Sequence, residues 1–156
     1  MNFLLNNLVN SLYEQKIENK DLEKVKQLVS NYYRIPKEVL DKVKVKMSNL
    51  PTIYVCFVRR IGDYLQILYK PIAKILGLYD PKNKEIYIDK NISYNQKIKT
   101  ALHEYVHAAQ DYLGKLSKLN REKLEEEARS VSEHLFKIYN QASQKFLSFL
   151  NYLAPI

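Results

Sequence analysis

The sequence predicts an α+β fold in which a small antiparallel sheet packs against two long helices, with extra helices at the N-terminus. Residues 85–89 alternate apolar and polar side chains with the period of a strand. Residues 98–109 and 124–138 repeat apolar side chains with the period of a helix. The predicted order is helices, then strands, then helices, and this segregation is typical of α+β proteins.

Two helical segments are predicted before the first strand. Residues 1–34 are expected to be helical, because Asp21 can cap a helix and the apolar residues after it follow a helical spacing. Those residues are Leu22, Val25, Leu28 and Val29. Pro36 ends this segment. A second helix is expected over residues 37–48, with an apolar stripe at Leu40, Val43 and Met47.

The middle of the chain is predicted to contain strands. Residues 52–58 are rich in β-branched and aromatic side chains. Residues 75–79 and 85–89 are expected to form a hairpin, because the segment between them is rich in turn-forming Asp, Pro and Asn. Residues 63–75 match neither a helix nor a strand clearly, although Pro71 argues against one uninterrupted helix.

The last two helices are predicted from their ends and their apolar stripes. Ser93-x-x-Gln96 matches a capping box, and Gly114 suits a helix stop, so the first of them should end at about Leu113. Asn120 can cap the second. Its apolar stripe includes Leu124, Ala128, Val131, Leu135 and Ile138, and it continues at Phe146, Phe149 and Leu150.

The motif that carries chemistry is His103-Glu104-Tyr105-Val106-His107, which reads H-E-x-x-H. Four residues make a little more than one helical turn, so both imidazoles project from one face and can bind one zinc ion. Glu104 lies between them, where it can accept a proton from water. The alternative interpretation is a histidine pair on a solvated helix face.

A catalytic zinc site needs a third protein ligand. Glu127 follows His107 by twenty residues, which leaves room for a connection and a returning helix. It borders the apolar stripe of that helix, where a carboxylate needs a partner. Glu127 is therefore the expected ligand, with Glu126 as the fallback. Glu125 is expected to be solvated.

These residues together resemble the gluzincin metallopeptidases, and among them the very small minigluzincins. The resemblance covers about residues 75–140. It implies a zinc peptidase in which His103, His107 and Glu127 hold the metal and Glu104 is the general base. It also implies an edge strand beside the motif helix, either residues 76–80 or residues 85–89, that binds a peptide or protein substrate. The alternative interpretation is a purely structural hairpin.

The resemblance has one departure and one consequence for domain organisation. Larger gluzincins place an aspartate four residues after the glutamate ligand, where it orients the first histidine, but Val131 stands there in this chain. The partner of His103 must therefore come from elsewhere. Residues 51–156 are expected to form a minimal metallopeptidase-like domain. Residues 1–50 form a preceding helical segment that is a candidate for covering or regulating the cleft.

Several side chains are candidates for stabilising a developing negative charge on the substrate. His134 lies seven residues beyond Glu127, two helical turns along roughly the same side, and is the one considered as a further catalytic residue. The others are Tyr105, Arg129 and Tyr139. Besides a peptidase, the motif is compatible with a non-catalytic, zinc-stabilised interaction protein or with a latent or inactive peptidase homologue.

The composition of the 156-residue chain bounds its setting and partners. Apolar residues make up 46%, which suffices for a core, and no apolar run approaches the roughly 20 residues that span a bilayer. A single cysteine, Cys56, and no evident signal peptide lead us to expect a cytoplasmic protein. The net charge of +8 comes from scattered lysines, so specific nucleic-acid binding is not expected.

Overall fold

The structure, a computed structural model, describes residues 15–153. Helix α1 spans Asn19–Tyr33, and its C-terminal neighbour Arg34 takes the left-handed conformation that commonly ends helices. Helix α2 spans Lys37–Asp41 and follows Pro36 directly. The helix predicted over residues 1–34 is thus confirmed over Asn19–Tyr33, whereas residues 15–18 are not helical and residues 1–14 lie outside the described part of the chain.

The predicted helix over residues 37–48 is wrong in its second half. Helix α2 stops at Asp41, and Lys44–Ser48 form strand β1. Residues 43–47 alternate apolar and lysine side chains, so they suit a strand as well as they suit a helix. Pairing with a strand some forty residues later in the chain decides between the two.

The main sheet has three strands, in the order β1, β5 (Glu85–Asp89) and β4 (Gly77–Asp80). Strands β4 and β5 form the predicted antiparallel hairpin, and β1 joins β5 in parallel. The α+β prediction with a small sheet against the helices is confirmed, and the sheet is mixed rather than purely antiparallel. Strand β4 lies at the edge and contacts the motif helix.

A second sheet consists of one long hairpin. Strand β2 spans Thr52–Ile61 and strand β3 spans Tyr64–Lys74, with a turn at Gly62, whose φ of +61° suits glycine. The predicted strand over residues 52–58 is confirmed and is longer than expected. The segment 63–75, which the pattern did not assign, is almost entirely β3. The two strands pack mainly against each other, and many of their apolar side chains are exposed.

Two helices complete the fold. Helix α3 spans Tyr94–Tyr112, and the predicted capping box is present: Ser93 Oγ accepts from the Gln96 backbone, and Gln96 accepts from the Ser93 backbone. Helix α4 spans Arg121–Leu153, and Asn120 Oδ1 accepts from the Lys123 backbone N–H at 2.9 Å. Within residues 15–153, none of the helices has the length and apolar character needed to cross a bilayer.

The core lies where helix α3 passes between the main sheet and the flanking helices α1 and α4. Its fully or almost fully buried members come from all of these elements: Val25, Val29, Leu40, Ile86, Ile88, Ile98, Leu102, Val106, Ala128 and Leu135. Burying each large aliphatic side chain completely contributes about 1.5–3 kcal/mol to the free energy of folding. Of the predicted α4 stripe, Ile138 is exposed, and the side chains of Phe146, Phe149 and Leu150 lie outside the described part. This packing places the motif helix against β4 on one side and α4 on the other.

Candidate metal centre

Helix α3 brings the two motif histidines together. The Nε2 atoms of His103 and His107 are 3.2 Å apart, and their rings meet edge to face at an interplanar angle of 82°. Both side chains are largely buried, with exposed fractions of 25% and 13%. Burial, followed by the neighbouring His107, lowers the pKa of His103. That direction favours the neutral imidazole, which is the form that binds metals.

Helix α4 supplies a carboxylate to the pair, and it comes from Glu125. Its two oxygens lie 3.3 Å from His103 Nε2 and 3.5 Å from His107 Nε2. Zinc bonds of about 2.0–2.2 Å at tetrahedral angles place neighbouring ligand atoms about 3.3–3.6 Å apart. The three separations in this structure are close to this spacing, and the two from Glu125 involve different oxygens, Oε2 toward His103 and Oε1 toward His107. The group His103, His107 and Glu125 could hold a metal ion.

The structure does not bring Glu127 or Glu126 into this group, which corrects the position expected from the sequence. The Glu127 carboxylate accepts hydrogen bonds from Lys115 Nζ at 2.7 Å, from Tyr33 Oη at 2.9 Å and from Gln110 Nε2 at 3.3 Å. Glu126 is exposed. Two residues turn a helix by about 200°, so Glu125 and Glu127 border the same apolar stripe from opposite sides.

The sequence did not identify Glu125 because the stripe alone leaves two choices. Leu124, Ala128, Val131 and Leu135 fix the buried side of α4, and a carboxylate lies on each flank of it. Which flank meets the motif depends on how α4 crosses α3, and that is a tertiary property. Gln110 was also missed, although its position three residues after His107, on the same face of α3, was an available signal.

Glu104 is deeply buried, with 6% of its surface exposed. Burial raises its pKa to about 8, the negative charge of Glu125 adds to the effect, and the backbone N–H of Tyr79 opposes it. Strand β4 comes this close because residue 77 is glycine. A Cβ on Gly77 would lie 2.8 Å from Glu104 Oε1 and would also overlap Thr100. No local pattern in the sequence predicts this close approach at Gly77.

A cleft of about 680 Å³ opens onto His103 of the histidine pair. Its walls are the segment from Ala73 to Gly77, one face of α3 and one face of α4. The polar and charged side chains in the wall are Lys99, Thr100, His103, Glu104, Glu125 and Arg129, together with Lys74, Gln96, Ser132 and Glu133. The candidate metal group is thus accessible from outside, and Glu104 shares the cleft with it.

The other predicted charge-stabilising residues are distributed differently. Arg129 lines the cleft. His134 is exposed and its ring lies 6.3 Å from that of Tyr32, on the side of α4 that faces α1. It does share a side of the helix with Glu127, as expected, but that side is not the one at the cleft. Tyr139 donates to Asp21, and Tyr105 is fully buried.

Comparison with known proteins yields no relative. No family model matches the chain, and neither a curated protein nor a solved structure matches it. The resemblance to gluzincins therefore rests on the motif residues themselves, and the chemistry has to be argued from the geometry of the cleft.

Proposed function

We propose that the chain is a zinc-dependent peptidase in which His103, His107 and Glu125 hold the metal. The observation that carries the proposal is the convergence of two imidazole nitrogens, 3.2 Å apart, with the Glu125 carboxylate, whose two oxygens lie 3.3 and 3.5 Å from them, close to the spacing of zinc ligands. Two imidazoles and one carboxylate are a donor set typical of catalytic zinc, which keeps a further position open. When bound, zinc acidifies water and polarises a carbonyl group.

Glu104 is the proposed general base. Its carboxyl group is buried in the cleft beside the ligand group, so its proton exchange is shielded from bulk solvent. In its ionised form, which a bound zinc ion would favour against the effect of burial, it would accept a proton from the attacking water and then donate a proton to the amine that leaves when the peptide bond breaks. The Tyr79 backbone N–H fixes the position of this carboxyl group.

The edge of strand β4 is the proposed binding site for the peptide backbone. Leu76 O accepts from Asp89 N, and Leu78 pairs with Tyr87, so the backbone N–H and C=O groups of Leu76 and Leu78 face β5. Because backbone groups alternate along a strand, Gly77 faces the opposite, cleft-side edge. No other strand among residues 15–153 pairs with β4. An extended peptide can add to such an edge by backbone hydrogen bonds.

The experiment that tests this function compares three proteins purified without added metal. The wild type should contain one zinc per chain by mass spectrometry and should cleave members of a mixture of short unstructured peptides. Glu104→Gln should retain zinc and lose cleavage. Glu126→Gln, which changes an exposed acid outside the site, is the matched control and should retain both.

The alternative function, a non-catalytic zinc-stabilised protein, predicts a different outcome from the same set. Zinc would then bind with unit stoichiometry and raise the melting temperature, because a ligand that binds only the folded state stabilises it. Peptide cleavage would be absent in the wild type, or it would be equal in the wild type and Glu104→Gln. The open cleft beside the ligand group favours the peptidase, because a purely structural zinc site needs no access.

A further inference from the structure

Gln110 lies fully buried between His107 and helix α4. Its Oε1 is 2.8 Å from His107 Nδ1, and its Nε2 is 3.0 Å from the Leu124 backbone oxygen and 3.3 Å from Glu127 Oε2. Each polar atom of the amide therefore has a partner. A buried amide that is fully satisfied in this way is held in one orientation.

That orientation follows from the chemistry of the partners. A backbone carbonyl and a carboxylate can only accept hydrogen bonds, so the amide NH₂ must face Leu124 and Glu127. The amide oxygen must then face His107, and it can only accept. The Nδ1 atom of a neutral His107 must therefore carry the hydrogen. Its Nε2 atom is left with a free lone pair directed at His103 Nε2 and Glu125.

Glu127 is itself held in place. Lys115, in the connection between α3 and α4, donates to its Oε1, and so does the hydroxyl of Tyr33 on helix α1. Both oxygens of Glu127 therefore already accept hydrogen bonds. Together with the Leu124 carbonyl, which can only accept, they keep the NH₂ group of Gln110 on this side.

We propose that Gln110 and Glu127 are positioning residues that hold His107 in the Nδ1–H tautomer required for metal binding. In this chain the acid at position 127 acts through Gln110 and is not a ligand. The inference rests on the metal site of the proposed function and is independent of peptidase activity. It gives the candidate metal centre the outer hydrogen-bond partner that metal-binding histidines almost always have.

The first test is the tautomer of His107. With only three histidines in the chain, the imidazole nitrogens can be assigned by two-bond ¹H–¹⁵N correlation of the metal-free protein. His107 is expected as the Nδ1–H tautomer in the wild type. In Gln110→Met, which keeps the side-chain volume and removes the acceptor, the Nε2–H form should appear. A wild-type His107 in the Nε2–H form would overturn the proposal.

The second test is zinc affinity, measured by competition with a chelator on variants shown to be folded by circular dichroism. Gln110→Met is expected to bind zinc about 10- to 100-fold more weakly, the range typical of lost outer partners. Glu127→Gln keeps an acceptor for Gln110 and should bind nearly as well as the wild type, whereas Glu127→Leu should bind more weakly. Equal affinity of the wild type and a folded Gln110→Met would overturn the proposal.

A control separates positioning from general stability. Tyr105→Phe removes a buried hydroxyl of α3 that has no hydrogen-bond partner among residues 15–153, so it should leave both the tautomer and the zinc affinity unchanged. The proposed zinc centre and the proposed His107 tautomer can also be refuted separately. A wild type that binds no zinc but shows the Nδ1–H tautomer would refute the metal centre and leave the tautomer assignment standing.

Discussion

Glu125 and Glu127 lie two residues apart on helix α4, but their carboxylates lie on opposite flanks of its apolar stripe and contact different residues. Glu125 approaches the Nε2 atoms of His103 and His107 within 3.5 Å. Glu127 instead bonds to Lys115 and Tyr33 and reaches His107 only through the amide of Gln110. Helix α4 therefore offers one carboxylate directly to the histidine pair and a second that reaches the pair only through Gln110.

Substitution of these two acids should affect metal binding unequally. Glu125→Gln is expected to weaken zinc binding by more than about 100-fold, beyond the roughly 10- to 100-fold typical of a lost outer partner, because it removes an inner ligand. Glu127→Gln should have little effect. Isothermal titration with zinc measures both, with Glu126→Gln as the control. A larger loss for Glu127→Gln than for Glu125→Gln would reverse the assignment.

The close approach of β4 to the motif helix predicts a stability effect at Gly77. Gly77→Ala should lower the free energy of unfolding by about 1–3 kcal/mol, the usual cost of overpacking, because the new methyl group meets Thr100 and Glu104. Urea denaturation measures this effect. Combining it with Thr100→Ser, which removes the Thr100 methyl group, should restore part of the loss. Full stability of the single variant would show that β4 can move away.

Asp21 predicts an acid-sensitive contribution to stability. Burial opposes ionisation, but hydrogen bonds from Tyr94 at 2.6 Å and Tyr139 at 2.7 Å outweigh it and lower the pKa of Asp21 in the folded state. The contribution of Asp21 to the free energy of unfolding is therefore fully present above about pH 3.9, the pKa of an aspartate in the unfolded chain. It is lost as the pH falls through the lower pKa of Asp21 in the folded state. Hydrogen bonds to a charged group contribute about 1.5–3 kcal/mol each.

The measurement is the unfolding free energy of the wild type and Asp21→Asn between pH 7 and pH 3. The difference should be largest at neutral pH and should shrink toward pH 3, while Asp63→Asn in the exposed β2–β3 turn should show no such trend. A difference that stays constant down to pH 3 would contradict the account of Asp21.

Under the proposed function, His134 and Arg129 should differ in their effect on catalysis. His134→Ala should leave zinc affinity and peptide cleavage unchanged, because the ring packs near Tyr32 away from the cleft. Arg129→Ala should slow cleavage without weakening zinc binding, because Arg129 lines the cleft beside the ligand group. Peptide kinetics on both variants test this. Reduced cleavage by His134→Ala alone would favour the role expected from the sequence.

The β2–β3 hairpin should open more easily than the rest of the described chain. It is a two-stranded sheet that packs mainly on itself, with exposed side chains such as Tyr64 at 82% and Leu65 at 70%. Isolated hairpins of this kind are marginal in water. Hydrogen exchange should be faster for the amides of β2 and β3 than for those of α3. Equal protection of the hairpin and α3 would indicate that another surface covers it.

Many of the helices and strands could be predicted from the sequence, because caps and apolar repeats involve residues that are close together in the chain. Ser93 and Gln96 define the start of α3, and the alternation of residues 85–89 defines β5. Strand β1 could not be assigned in this way. Residues 44–48 fit two periods, and their pairing with β5 depends on a contact across some forty residues.

The same distinction between local patterns and long-range contacts applies to the candidate site. His103, Glu104 and His107 belong to one helical turn, so their proximity is a local property. The third acid comes from another helix, and the choice between Glu125 and Glu127 depends on which flank of α4 faces α3. Gly77 is equally non-local, because its need to be glycine arises only from the approach of β4 to Glu104 and Thr100.

A crystal structure of the zinc-loaded wild type, with data on both sides of the zinc absorption edge, tests whether His103, His107 and Glu125 hold the metal. We expect one anomalous peak per chain, with His103 Nε2, His107 Nε2 and a Glu125 oxygen at about 2.0–2.2 Å. We also expect Glu127 to remain bonded to Lys115 and Tyr33. A peak coordinated by Glu127, or no peak at the histidine pair, would contradict this assignment of the ligands.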